Sequence, residues 1–323
     1  MPEQTALLSW IIRKAIRYLI SGFIVLVIVF LVPRLMPGDP VRNLVGEDVW
    51  LSPATLQALR SEMGLDLPLN EQFIHYLLDL FSLNLGYSYH LNGPVLNILL
   101  GRIPWTLLLI GTSILAGACF GVIAGALTGW NPERWWARTL TGSSLLISSI
   151  PPYILGLAFL ACFSFYLHLF PIKGLYDTPD IFSIIYHLTL PVLVLTLFYA
   201  SRNLLIMRGS VISERGLLYP QCARALGIPR QIILKRHVAK NALLPVLTLI
   251  ALDFGFLFSG ALFIEIVFSL QGMGSLIYDA ILLRDIPVLT GSFLVISVFV
   301  ILANLSVDLI SVLIDPRVRM GRE

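Results

Sequence analysis

Charge is the scarcest property of this 323-residue chain: Asp, Glu, Lys and Arg make up 13% of it against 57% hydrophobic residues, where a soluble domain carries roughly a quarter charged. So few charges cannot cover a water-facing surface, and the mean hydropathy of +0.85 agrees. The net charge is only +3, spread over short loops, which gives no basic stripe for nucleic acid. Cysteine is limited to Cys119, Cys162 and Cys222, with no CxxC pair and no histidine at ligand spacing beside them, so neither a disulfide framework nor a zinc site is suggested. None of the four lysines stands in a G-x-x-x-x-G-K-[ST] loop, so the chain is not expected to hydrolyse ATP by itself. A nucleophile elbow, an HExxH pair and facing catalytic carboxylates are also missing, and no catalytic residue is assigned.

What the chain does have is long uncharged sequence, each run enough to cross about 30 Å of hydrocarbon as a helix. Six spans are expected, with limits near 10–32, 104–128, 140–168, 184–207, 244–268 and 286–313. The first carries Arg13, Lys14 and Arg17 at its start, but no small-residue cleavage site follows, so it reads as an uncleaved helix whose basic residues snorkel to the membrane face. With the N-terminus placed in the cytoplasm, only Arg34, Arg42, Arg60, Arg102, Lys173 and Arg284 of the 22 Lys and Arg fall outside. That imbalance places both termini in the cytoplasm. The expected organisation is residues 1–33 as N-terminal segment and first helix, 34–103 as an external helical cap, and 104–323 as a transmembrane core.

Two loops exceed a simple connection, and long loops are where function concentrates. In the external one, Pro53 to Met63 and Asn70 to Phe81 have helical spacing. The other, within 208–243, reads as helix, Gly-Pro turn, helix: Ala223, Ala225 and Leu226 favour helix, Gly227 accepts the positive φ of a helix end, and Pro229 starts the next helix at Arg230. A short helix of this kind, lying across the membrane surface, suits a groove on a soluble partner. Asp253 falls near the middle of the fifth span, where an ionisable group is costly. It is either a pathway residue facing a water-filled cavity or a structural acid bonded to Ser or Thr on a neighbouring helix. Histidines 75, 90, 168 and 187 share no i, i+4 spacing, which does not support metal ligation. Gly117, Gly121 and Gly125 recur at four-residue steps, a pattern that permits close helix packing.

Over residues 10–320 the chain resembles the permease subunits of bacterial ABC importers, in the dipeptide, oligopeptide and nickel branch. The marks are Arg34-Leu35-Met36-Pro37-Gly38-Asp39-Pro40, Gly64-Leu65-Asp66-Leu67-Pro68-Leu69, Asn84-Leu85-Gly86-Tyr87-Ser88, Arg102-Ile103-Pro104-Trp105-Thr106-Leu107 and Ser149-Ile150-Pro151-Pro152-Tyr153. Further on come Ala223-Arg224-Ala225-Leu226-Gly227, Arg236-His237, Asn241-Ala242-Leu243-Leu244-Pro245, Glu265-Ile266-Val267-Phe268-Ser269, Gly272-Met273-Gly274, Val307-Asp308 and Asp315-Pro316-Arg317. The resemblance implies an all-α polytopic fold of the type I importer kind. It also implies a second related permease, two ATPases that bind ATP and Mg, an extracytoplasmic substrate-binding protein, and residence in the bacterial cytoplasmic membrane. No cofactor is expected in this chain.

The segment with Tyr219, Gln221, Cys222, Ala223, Arg224, Ala225, Leu226, Gly227 and Arg230 is similar to the EAA loop through which such permeases touch the ATPase. Gln221 and Cys222 stand where the general pattern prefers Glu and Ala. Arg224 and Arg230 are candidates to pair with acidic residues beside the ATPase groove. Glu265 matches a family motif and is expected to hold the turn at 271–274 or to gate. Peptide is the expected cargo, with a nickel or metallophore complex next and a sugar conjugate or opine behind it. Two readings of another class remain: an ion-coupled secondary transporter working through Asp253, and a scaffold or receptor without transport.

Overall fold

Backbone that lies in lipid has no water to bond to and must close its hydrogen bonds within the segment, which these apolar runs do as helices. The computed structural model describes residues 2–35, 52–62 and 66–314. The motif residues 36–40, 64–65 and 315–317 lie outside the described residues. Two units are formed, one from residues 1–105 with 272–301 and one from 106–271 with 302–323.

The first unit begins with α1 (Pro2–Leu35) and continues with α2 (Pro53–Glu62) and α3 (Leu69–Phe81), the two cap helices that the spacing predicts. Aromatic and cationic contacts tie α3 to the end of α1. Phe30 meets Phe73 edge-on at 5.0 Å and Tyr76 at 5.6 Å. The Arg34 guanidinium lies 3.6 Å over the Phe30 ring while its Nε donates to Gln72 Oε1 at 2.9 Å. Partial burial lowers the Arg34 pKa and pushes the Tyr76 phenol up to about 12, each opposed by the other's charge. A two-stranded hairpin follows, β1 (Tyr87–Ser88) against β2 (Gly93–Pro94). α4 (Val95–Trp130) starts directly behind it. Buried Ser88 donates to Asp285 Oδ2 at 2.5 Å, and Asp285 Oδ1 accepts the Val288 amide at 3.3 Å. Asp285 thus holds both the hairpin and the first turn of the last helix.

The second unit carries the rest of α4, then α5 (Trp135–Ser149), α6 (Pro152–Phe159) with a π-helical continuation (Leu160–Tyr166), and α7 (Ile181–Arg215). α8 (Leu218–Ala225) and α9 (Arg230–Ile232) come next. A π-helical stretch (Ile233–Val238) joins α9 to α10 (Ala239–Gly255), and α11 (Leu257–Val267) follows a break at Phe256. α12 (Met273–Leu282) and the first part of α13 (Ile286–Ile314) belong to the first unit. Among the described residues five helices are long and apolar enough to span a membrane, and a sixth span is present if α5 and α6 count as one.

Three expected limits are corrected. The span at 140–168 is bent by 103° between α5 and α6. Ile150 is held extended at φ −93°, ψ 127° before Pro151, because a residue preceding proline is disfavoured in the α region, and Pro152 then opens the next helix. The fourth helix runs to Arg215, not 207, so Arg208 and Arg215 sit inside a helix. The fifth begins at Arg230 and breaks at Phe256 instead of crossing unbroken from 244 to 268. Within the second unit α4 and α7 pack backbone to backbone. A Cβ on Gly121 would meet the Ala200 carbonyl oxygen and Asn203 Cβ at 2.6 Å each, and Gly117, Gly125 and Gly129 are as tightly placed.

Candidate functional site

α8 owes its shape to how it stops. Gly227 takes φ +78°, its amide donates to the Arg224 carbonyl at 3.1 Å, and the Ile228 amide donates to the Ala223 carbonyl at 3.1 Å. This pair of bonds closes a helix end around a left-handed residue, with the apolar residue beyond it folded back on the last turn. Pro229 then accepts from the Ile232 and Ile233 amides and starts α9. The sequence-predicted helix, turn and helix are therefore all present.

The inner side of α8 is anchored. Tyr219, Ala223 and Ile228 pack against a buried cluster of Met207 and Val211 from α7 with Ile233, Leu234, Val238, Ala242 and Val246 from the α9–α10 arm. The Tyr219 hydroxyl donates to Glu214 Oε2 at 2.5 Å and accepts from Asn241 Nδ2 at 3.2 Å. Partial burial, then the Glu214 carboxylate as acceptor, pushes the Tyr219 phenol above its ordinary pKa, so it stays a donor across the physiological range. Arg215 donates to the Trp130 carbonyl at 2.9 Å, and the Arg224 guanidinium lies 5.7 Å over the Trp130 ring. Arg224 is thus engaged within its own chain. Leu218, Gln221, Cys222, Ala225, Leu226, Gly227 and Arg230 face outward, and Leu226 is 80% exposed.

The two acidic candidates lie apart from α8 in the chain. Asp253, 7% exposed, is ion-paired with Arg202 of α7, a cation in place of the Ser or Thr partner that the structural alternative expects. Glu265, 1% exposed, accepts from Thr106 Oγ1 at 2.5 Å, and its own backbone carbonyl accepts the Leu270 amide at 2.8 Å, which shapes the start of the following turn. His187 Nδ1 lies 2.8 Å from the Ser183 carbonyl and its Nε2 3.6 Å from Asp177. Among the described residues no three His, Cys, Asp or Glu are grouped to hold a metal ion. Sequence reasoning missed Glu214, Asn241 and Trp130 as supports of α8. Only Asn241 carried a signal, standing in one of the quoted motifs.

Comparison with known proteins places this geometry. The profile of the family described as binding-protein-dependent transport system inner membrane component matches residues 117–320, and that of its N-terminal region matches 7–110. A protein of Brucella suis biovar 1, provisionally named a peptide permease, is 34% identical over 91% of this chain and 93% of its own length. The glutathione transport system permease protein GsiC of Escherichia coli K12 is 32% identical over 97% of this chain and 99% of its own. The chain belongs to the family of inner-membrane components of binding-protein-dependent transport systems, and is a multi-pass permease subunit of an ABC importer.

Proposed function

We propose that this permease imports peptides across the cytoplasmic membrane, paired with a second related permease, and that α8 is the helix through which two ATPases drive it. A binding protein delivers the cargo on the outer side, where the hairpin and cap helices lie, while both termini and α8 face the cytoplasm. ATP and Mg are bound by the ATPases, and this chain contributes no chemistry of its own. Peptide is preferred over nickel because the relatives that align along nearly the whole chain are named for a peptide and for glutathione, itself a tripeptide.

The observation that carries the reading is the division of α8 into two sides. Its inner face is fixed by the Glu214, Tyr219 and Asn241 bonds and the apolar cluster, while Leu218, Leu226 and Cys222 stand in the open. Large apolar side chains on a helix outside the spans mark a protein interaction surface. The test is Leu226→Asp in the assembled complex, a change at an exposed position that leaves the buried side alone. The variant is expected to insert normally, yet lose its ATPases on purification or lose the ATP hydrolysis that loaded binding protein stimulates. Unchanged stimulation would overturn the coupling role. Failure of the unmodified complex to accumulate labelled glutathione or tripeptides in vesicles would overturn the cargo.

A further inference from the structure

We infer that α7 and α10 are clasped into one lever that carries the displacement of α8 into the membrane, with Arg202 and Asp253 as its inner positioning pair. This rests on the coupling role of α8. The chain strings α8 between the end of α7 at Arg215 and the start of the α9–α10 arm at Arg230, so a force on α8 loads both helices at once. Transmission then depends on whether the two helices move together or slide past each other.

Two polar clasps join them. The outer one is Tyr219 of α8, held between Glu214 of α7 and Asn241 of α10, with Asn241 Nδ2 also 3.5 Å from Glu214. The inner one is the Arg202 to Asp253 ion pair. Arg202 precedes Glu214 by twelve residues and Asp253 follows Asn241 by twelve, so the clasps are joined on both sides by equal helix lengths of about 18 Å. Met207 and Val211 on one side, and Ala242 and Val246 on the other, fill the interval. Apolar contacts of this kind permit sliding, since one greasy neighbour replaces another. An ion pair between buried Asp253 and half-buried Arg202 does not, because displacement leaves the Asp253 carboxylate uncompensated away from water. The lever ends where the inner clasp does: α10 stops at Gly255 and the chain breaks at Phe256. Among the described residues Arg202 Nε and Asp253 Oδ2 have no hydrogen-bond partner.

The experiment uses the complete complex in lipid, with the three native cysteines replaced by serine and nitroxides placed at Ser213→Cys on α7 and Leu252→Cys on α10, both exposed. Pulsed electron resonance reads the distance between them without nucleotide and with ATP and vanadate trapped. With Arg202 and Asp253 present the distance is expected to be the same in both states. In Arg202→Gln it should shift between the states by about 5 Å, one helical turn. The charge swap Arg202→Asp with Asp253→Arg should restore invariance, which a role in folding alone would not produce. Arg202→Lys, which keeps the charge, should shift less and serves if the glutamine variant does not assemble. A parent distance that already changes with nucleotide, or an Arg202→Gln distance that does not, overturns the lever alone. Full binding-protein stimulation in Leu226→Asp overturns the coupling role beneath it.

Discussion

Gly121 shows how much of this protein is decided by a missing side chain. A Cβ there would enter the Ala200 backbone and Asn203 at 2.6 Å, distances that only a shift of the whole helix relieves. Gly111, ten residues earlier on the same helix, has nothing within 4 Å. Gly121→Leu should therefore lower the thermal unfolding midpoint in detergent through an overpacking cost of about 1–3 kcal/mol or more. Gly111→Ala should leave it unchanged or slightly raised, as alanine favours helix. Equal midpoints for the two variants would remove close α4–α7 packing as the reason for the glycines. The four-residue glycine step was readable from the sequence because helix geometry turns that spacing into one stripe. Its partner was not, since nothing in the run at 196–211 distinguishes the side facing α4. Asp253 behaves likewise: its cost in the membrane is legible, while Arg202, inside the expected fourth span, counts only as a cytoplasmic-side charge because sequence does not show which helix faces which.

At the scale of elements, turns were read well and breaks poorly. Gly227 between Leu226 and Ile228-Pro229 announced a helix end, because few other residues accept a positive φ without strain. The bend between α5 and α6 was equally encoded in Ile150-Pro151-Pro152, but uncharged sequence on both sides suggested one continuous span. The π-helical stretch at 233–238 has no sequence signature of its own. The helix proposed to couple, α8, follows from the legible part. Gly227→Val puts a β-branched residue at φ +78°, where no neighbour obstructs it but the backbone is disfavoured by about 1–2 kcal/mol. Hydrogen exchange should then speed up at the Gly227 and Ile228 amides, whose bonds close α8, and remain unaltered in the middle of α7. Acceleration throughout α7 would mean that α8 is part of the bundle's stability and not a separate attachment.

For the whole molecule, the proposed face of each loop rests on charge. The positive-inside count assigned sixteen Lys and Arg to the cytoplasm against six outside. Withdrawing Arg202, the half-buried partner of Asp253, leaves fifteen against six, so the expected orientation does not depend on that residue. The turn between α4 and α5 carries Arg134, and the first turn of α5 carries Arg138, paired at the surface with Glu133 at 3.1 Å; both count toward the proposed cytoplasmic side. The β1–β2 hairpin contains no Lys or Arg and presents Tyr89 at 55% exposure. An exposed pair such as Arg138 with Glu133 contributes little to stability, so both positions accept a reporter. With native cysteines replaced by serine, Tyr89→Cys should react with a membrane-impermeant maleimide on intact spheroplasts, and Glu133→Cys only after the membrane is opened. The opposite pattern would invert the protein and remove α8 from the compartment that holds ATP. Labelling of both from outside would place an odd number of crossings between the hairpin and the α4–α5 turn in doubt, and with it the reading of α4 as a full span.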